Sequence, residues 1–244
     1  MPSRPHPAAV PHGPIQKVHP GVHTVTGAIT MSMMRFSRNM IVVEQGDRLV
    51  LVNSVRLSDE GLSALDAMGR VTDVIRLAGF HGVDDPFYKE RYGATIHTVK
   101  GQAYFPGLDP SKADTYFESD NELTADSDLP IEGATLYSFS TAIPEAVLLL
   151  PAGGGTLVTG DSLQNYEGAD EYFNFLGKIG LRLLGFMNPL QLGPAWLKQL
   201  KPDKDEIRGL LDLEFDHVLP GHGRPVIGGA KDKFRPTIEA YVSS

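Results

Sequence analysis

The 244 residues include no cysteine, which excludes disulfides, zinc-thiolate centres and a cysteine nucleophile. Any metal must then be held by histidine, carboxylate or carbonyl oxygen. Positive charge is also short: 22 basic against 30 acidic residues give a formal charge of -8. That balance opposes binding to nucleic acid or to an anionic membrane, and predicts neither as a partner. No stretch approaches the ~18–20 consecutive apolar residues of a bilayer span. The Gly-x-Ser-x-Gly elbow, the Gly-x-x-x-x-Gly-Lys-Ser/Thr loop and the Gly-x-Gly-x-x-Gly fingerprint are all missing, and with them the usual signs of a serine hydrolase, a P-loop or a dinucleotide site.

What is present is a chain with 41% hydrophobic residues, enough to bury a sizeable core. Residues 1–14, "MPSRPHPAAVPHGP", are rich in proline and histidine and predict a flexible arm. His6 and His12 within it are not expected to bind metal. This segment lacks the apolar core of a signal peptide, so a cytoplasmic protein is expected. No repeat or linker divides residues 15–244, which are read as a single α/β domain.

Short β segments run from Val22 to Ser54, with Gln45-Gly46-Asp47 joining two β-branched runs as a hairpin. Ser58 is placed to cap the helix "DEGLSALDAM", with Leu57 stapled onto Leu62 and Gly69 as the stop. The strand "VTDVIRLA" leads into "GFHGVDDPFY", where Asp85-Pro86 reads as N-cap and first residue of a helix ended by Gly93. A strand "ATIHTVKGQAYF" follows, then a polar loop-like stretch over 106–130. "ATLYSFS", "EAVLLLP" and "TLVTGD" are strands, the last two joined by the turn at Gly153-Gly154-Gly155. Tyr172, Leu176, Ile179, Leu183 and Phe186 recur at helical spacing across 169–187. This predicts an amphipathic helix packed on the domain, in preference to a lid, a membrane-docking element or a dimer contact. Asp203–Leu213 is a further helix, "FDHVLP" a short strand, and the C-terminal helix is expected to be interrupted at Pro236. His97 and His217 are read as ordinary histidines of strands, and Trp196 as a core anchor.

Four stretches put polar side chains at the ends of apolar strands: His81 with Asp84 and Asp85, "SFSTAIPEAVLLL", "LVTGDSLQN" and "FDHVLPGHGRP". In this order they resemble the metallo-β-lactamase fold superfamily, in a branch with a degenerate ligand set. The resemblance spans roughly residues 20–230 and implies a four-layer αββα sandwich, helices outside two facing mixed β-sheets. In that family a His-x-His-x-Asp-His motif, a Pro-Gly-His-Thr turn, a Gly-Asp and a final Gly-His hold two metal ions that activate water near neutral pH. Here an ungapped fit sets Gly79 at the first histidine, His81 at the second, Val83 at the aspartate and Asp84 at the last histidine, while a fit with one residue inserted sets Asp84 at the aspartate and Asp85 at the last; either loses at least one histidine, and Ala142 stands where the turn's histidine belongs. Asn53-Ser54-Val55 replaces the usual Asp-Thr-Gly.

Asp161 in "TGDSL" and His222 in "PGHG" are retained. The metal candidates are therefore His81, Asp161 and His222, with Asp84 as the group that would orient or deprotonate water. Such a set suits one divalent ion, zinc, iron or manganese, and not a pair. Two readings follow. The missing imidazoles favour a metal-free descendant that keeps a residual cleft for a small-molecule ligand or partner. The alternative is a single-metal hydrolase of a small ester, lactone, amide or phosphoester.

Overall fold

The computed structural model describes residues 6–102 and 119–244. Strands β1 (Gln16–His19), β2 (Val22–Met31), β3 (Met34–Gln45), β4 (Arg48–Val52), β5 (Arg70–Arg76), β6 (Thr95–Val99) and β7 (Asn121–Leu123) form one sheet in that order. Its first four strands are antiparallel and β4 to β7 run parallel. The second sheet has the order β13-β10-β9-β8, from β8 (Thr135–Phe139), β9 (Glu145–Leu150), β10 (Thr156–Val158) and β13 (His217–Leu219), with only β10 and β13 parallel. A small pair, β11 (Leu163–Gln164) and β12 (Gln191–Leu192), lies beside it.

The period-two alternation of the strands builds the layers. In β9, Ala146, Leu148 and Leu150 join Val50, Val52 and Ile75 in a core between the sheets, while Val147 faces the other way. In β4, Leu49 and Leu51 point outward to meet the helices α1 (Asp59–Met68) and α2 (Asp85–Tyr92) through Leu62, Leu65 and Tyr88. The far face of the second sheet is covered by α4 (Lys204–Gly209) and α5 (Ala230–Ser243), through Ile207, Phe234 and Ile238. Trp196 is fully buried among them. This is the αββα sandwich.

Local signals are expressed as written in several places. The Ser58 hydroxyl accepts the Gly61 N–H at 3.3 Å and caps α1, Leu57 and Leu62 share a cluster, and Gly46 turns the β3–β4 hairpin with a positive φ. The glycine triplet turns β9 into β10. Elsewhere the structure differs. Helix α5 runs through Pro236 unbroken, because packing of Phe234 and Ile238 on either side outweighs the one lost backbone hydrogen bond. Residues 121–123, read as loop, add strand β7 to the sheet edge; residues 106–118 of that stretch, and 103–105 at the end of the strand read before it, lie outside the described residues. The predicted helix over 169–187 contracts to α3 (Phe175–Leu183), whose apolar residues Leu176, Ile179 and Leu183 are exposed and not packed. The helix meets β3 instead through Gly177 and Leu181, since the small residue permits the closest approach.

The expected flexible arm shows attachments in its described part. His12 Nε2 accepts the Ser58 N–H at 2.8 Å, Pro7 O accepts from Arg56, and His6 pairs with Glu90 at 2.7 Å. Among the described residues no helix is long and apolar enough to cross a membrane.

Candidate metal centre

Three loops leave the carboxyl ends of β5, β10 and β13 and bring His81, Asp161 and His222 together. One donor atom from each lies within 4.8 Å of the others. His222 Nε2 is 3.2 Å from Asp161 Oδ1 and 3.2 Å from His81 Nε2, and His81 Nε2 is 3.6 Å from Asp161 Oδ1. All three side chains are nearly buried.

The loops can approach this closely because glycine supplies the space. A Cβ at Gly221 would stand 2.6 Å from the Gly160 carbonyl oxygen and 3.0 Å from His81 Cε1. Asn39 on β3 then clamps the His222 loop: its Nδ2 donates to Pro220 O at 2.8 Å and Gly223 O at 2.7 Å, and its backbone N–H to Gly221 O at 2.8 Å. Asn53, at the end of β4, has a structural task. In a left-handed conformation it donates to Thr159 O at 3.0 Å and accepts the Leu77 N–H at 3.2 Å, tying the two sheets beneath the site.

Protonation is set by the same neighbours. His222 Nδ1 lies 3.0 Å from Ser37 O, so Nδ1–H donates there and Nε2 presents its lone pair to the cluster. Burial pushes the His81 imidazole below its ordinary value, only partly opposed by the Asp161 charge. Burial alone would raise Asp161, but the facing imidazoles of His81 and His222 outweigh it and hold the carboxyl well below the usual range. Two imidazole nitrogens and a carboxylate thus face one another, a donor set suited to a divalent ion. Asp161 Oδ2 is buried and without a hydrogen-bond partner among the described residues, a further sign that the donors fit an ion.

Glu145, at the head of β9, was not singled out from the sequence. Fully buried, it accepts the backbone N–H groups of Asp161 at 2.9 Å and Ser162 at 2.7 Å through Oε1. Burial, reinforced by the Asp161 charge, raises its pKa well above the ordinary value. The available signal is its position: an acid opening the apolar run "EAVLLL" sits on a strand that a sandwich buries on both faces. Phe36 and Tyr166, also missed, flank His222 with ring centroids at 5.9 and 6.4 Å.

Asp84 and Asp85 are directed elsewhere. The Asp84 carboxylate is bound by the buried Arg38 guanidinium and accepts the Arg56 N–H at 2.7 Å, so its placement does not suit the expected work on water. Asp85 does not cap α2 as expected. Backbone geometry makes Asp84 the N-cap, without a side-chain cap bond, and Asp85 is the first helical residue, buried and accepting the Ser54 hydroxyl at 2.6 Å. The shift by one residue follows from burial: Asp85 points into the core near Arg76 and not along the helix axis. His97 and His217 sit apart, the first with Asp73 at 2.8 Å and the second with Gly153 O at 2.9 Å. The space at Gly79 is taken by Ile143, whose Cγ2 a Cβ there would strike.

No protein-family model matches the sequence, and no curated protein matches it. Solved structures do. The metallo-β-lactamase FIM-1 from Pseudomonas aeruginosa, in its mono-zinc form, superposes with a TM-score of 0.60 at 14% identity, over 98% of this chain and 99% of that one. The metallo-β-lactamase DIM-1, exposed to ceftazidime, gives 0.62 at 13% identity, over 96% and 100%. A metallo-β-lactamase from Hirschia baltica gives 0.58 at 16% identity, over 95% and 98%.

Proposed function

We propose, from the premise that this chain has the metallo-β-lactamase fold, that it binds one divalent ion through His81, Asp161 and His222 and acts as a single-metal hydrolase. The observation that carries this reading is the convergence of two imidazole Nε2 atoms and a buried carboxylate within 4.8 Å. When bound, zinc, iron or manganese at three such donors supplies a Lewis acid able to activate water. The chain's own residues do the rest. Ser37 O fixes the His222 tautomer, and Glu145 holds the Asp161 loop through two backbone N–H groups. Phe36 and Tyr166 keep bulk water from the His222 side.

The site takes one ion and not two on this reading. Ile143 fills the space at Gly79, Ala142 brings no imidazole, and the Arg38 guanidinium already neutralises Asp84. Small esters, lactones, amides and phosphoesters are the substrate classes to assay, since each is cleaved by attack of activated water.

A second reading rests on one distance. The 3.2 Å between the two Nε2 atoms also suits a hydrogen bond between the imidazoles, the arrangement a metal-free binding protein would keep. Metal analysis of protein purified without chelator separates the two. About one equivalent of zinc, iron or manganese, lost in His222→Ala together with hydrolysis, supports the first. Protein that neither retains metal nor takes up added zinc supports the second and removes the hydrolase.

A further inference from the structure

Eight large apolar side chains stand exposed among the described residues, and seven of them belong to one region. Five lie on or just after α3: Phe175, Leu176, Ile179, Leu183 and Leu184, the first exposed by 74% and Leu183 by 82%. The others are methionines at the turn between β2 and β3, led by Met33 at 73%.

Helix and turn form a single surface. Asn174 caps α3, accepts the Arg35 N–H at 3.0 Å and donates to Met33 O at 2.8 Å. The glycine side of the helix lies on the hairpin, where a Cβ at Gly177 would strike Arg35 O and one at Gly180 the Met34 sulfur. The apolar side is thereby turned outward, the reverse of what a helix packed on its own domain shows.

The charges on the helix itself are of one sign. Helix α3 has two basic residues, Lys178 and Arg182, and no acidic one, in a chain whose formal charge is -8; Asp170 and Glu171 lie ahead of its cap. Lys178 and Arg182 are exposed on α3 itself. A twofold pairing of two copies through α3 would set these cations against their own images, with no carboxylate on the segment to offset them. Exposed leucine and phenylalanine flanked by lysine and arginine, on a helix held flat against its domain, is the pattern of an interfacial anchor. The cations then lie at headgroup phosphates while the apolar side chains enter the acyl boundary.

We propose that α3 and the β2–β3 turn form a docking face for an anionic lipid surface. The chain-wide negative charge, which alone argues against a membrane, is not the charge this face presents. Docking here orients the metal centre as well, because α3 begins two residues after Phe173, whose ring packs on Phe36 and Tyr166 beside His222. The proposal does not depend on an ion being bound.

Co-sedimentation of the full chain with extruded vesicles tests it, comparing phosphatidylcholine alone with phosphatidylcholine containing about one third phosphatidylserine. The expected result is binding to the anionic vesicles only, weakened by salt. Phe175→Ser/Leu183→Ser and, separately, Lys178→Glu/Arg182→Glu each lower the partition coefficient by roughly tenfold or more, with unchanged melting temperature because the altered side chains are exposed. Three outcomes overturn the proposal: no binding to either vesicle, equal binding to both, or binding that both variants retain. A dimer in light scattering that Phe175→Ser/Leu183→Ser converts to monomer, without vesicle binding, assigns the face to a second copy instead.

Discussion

His81 and His222, separated by 141 residues, face each other through their Nε2 atoms at 3.2 Å. One comes from the loop after β5 in the larger sheet and the other from the loop after β13 in the smaller. Their meeting is thus a statement about how the two sheets stack, and several measurable consequences follow from the residues that enforce it.

Glu145 acts on the centre through the backbone of Asp161. Glu145→Gln keeps an acceptor oxygen of the same shape, so metal affinity should stay within a few-fold of wild type. Glu145→Ala leaves two buried N–H groups without a partner and should cost on the order of 2–4 kcal/mol, with a marked loss of metal affinity. Denaturant unfolding alongside zinc titration reads both; equal effects of the two substitutions would show that its charge, and not its acceptor, is what counts.

The buried Arg38–Asp84 pair holds the loop that follows β5. Asp84→Ala strands a buried guanidinium and should destabilise by roughly 3–5 kcal/mol, while Arg38→Met/Asp84→Leu recovers much of that. Zinc stoichiometry should not change in the double variant. A stable Asp84→Ala protein with hydrolysis abolished would restore Asp84 to the chemistry.

Gly79→Ala should cost about 1–3 kcal/mol, since the new Cβ strikes Ile143. Combining it with Ile143→Ala should return most of the loss, which a double-mutant cycle on urea midpoints measures. Strict additivity of the two changes would mean that Ile143 does not fill this space.

For Asp73, burial acts to raise the carboxyl, but the hydrogen bond from His97 and further contacts outweigh it and the pKa is lowered. A folded value below the unfolded one contributes stability that is full above about pH 4, the unfolded value, and is lost as pH falls through the folded value. The gap in stability between wild type and Asp73→Asn should therefore be widest near neutrality and narrow on acidification below about pH 4. Urea titrations at a series of pH values test this, and a gap that widens in acid contradicts it.

Much of the architecture was legible because its strands alternate cleanly and its turns use glycine where φ is positive, as at Gly46. His81, Asp161 and His222 were legible as a set because each follows directly on an apolar strand, and strand ends of stacked sheets share a rim. Asp85 was misjudged because an Asp-Pro pair carries the same local signal whether the acid caps a helix or points into the core; only Ser54 and Arg76, distant in sequence, decide between them. Helix α3 had the right period and the opposite facing, since periodicity shows that a helix has an apolar side and not which way that side turns. Glu145 shows in the sequence only as an acid at the head of an apolar run; its task does not, because its partners are backbone N–H groups.

Asn53 fastens the end of β4 to Thr159 in the opposite sheet and to Leu77 in its own. The rim on which His81, Asp161 and His222 meet is thereby braced from beneath by the two hydrogen bonds of one amide, so the spacing of the layers there is set by the protein itself. Under the proposed single-metal reading, such a brace favours an ion that fits the existing spacing over one that would need the layers to part.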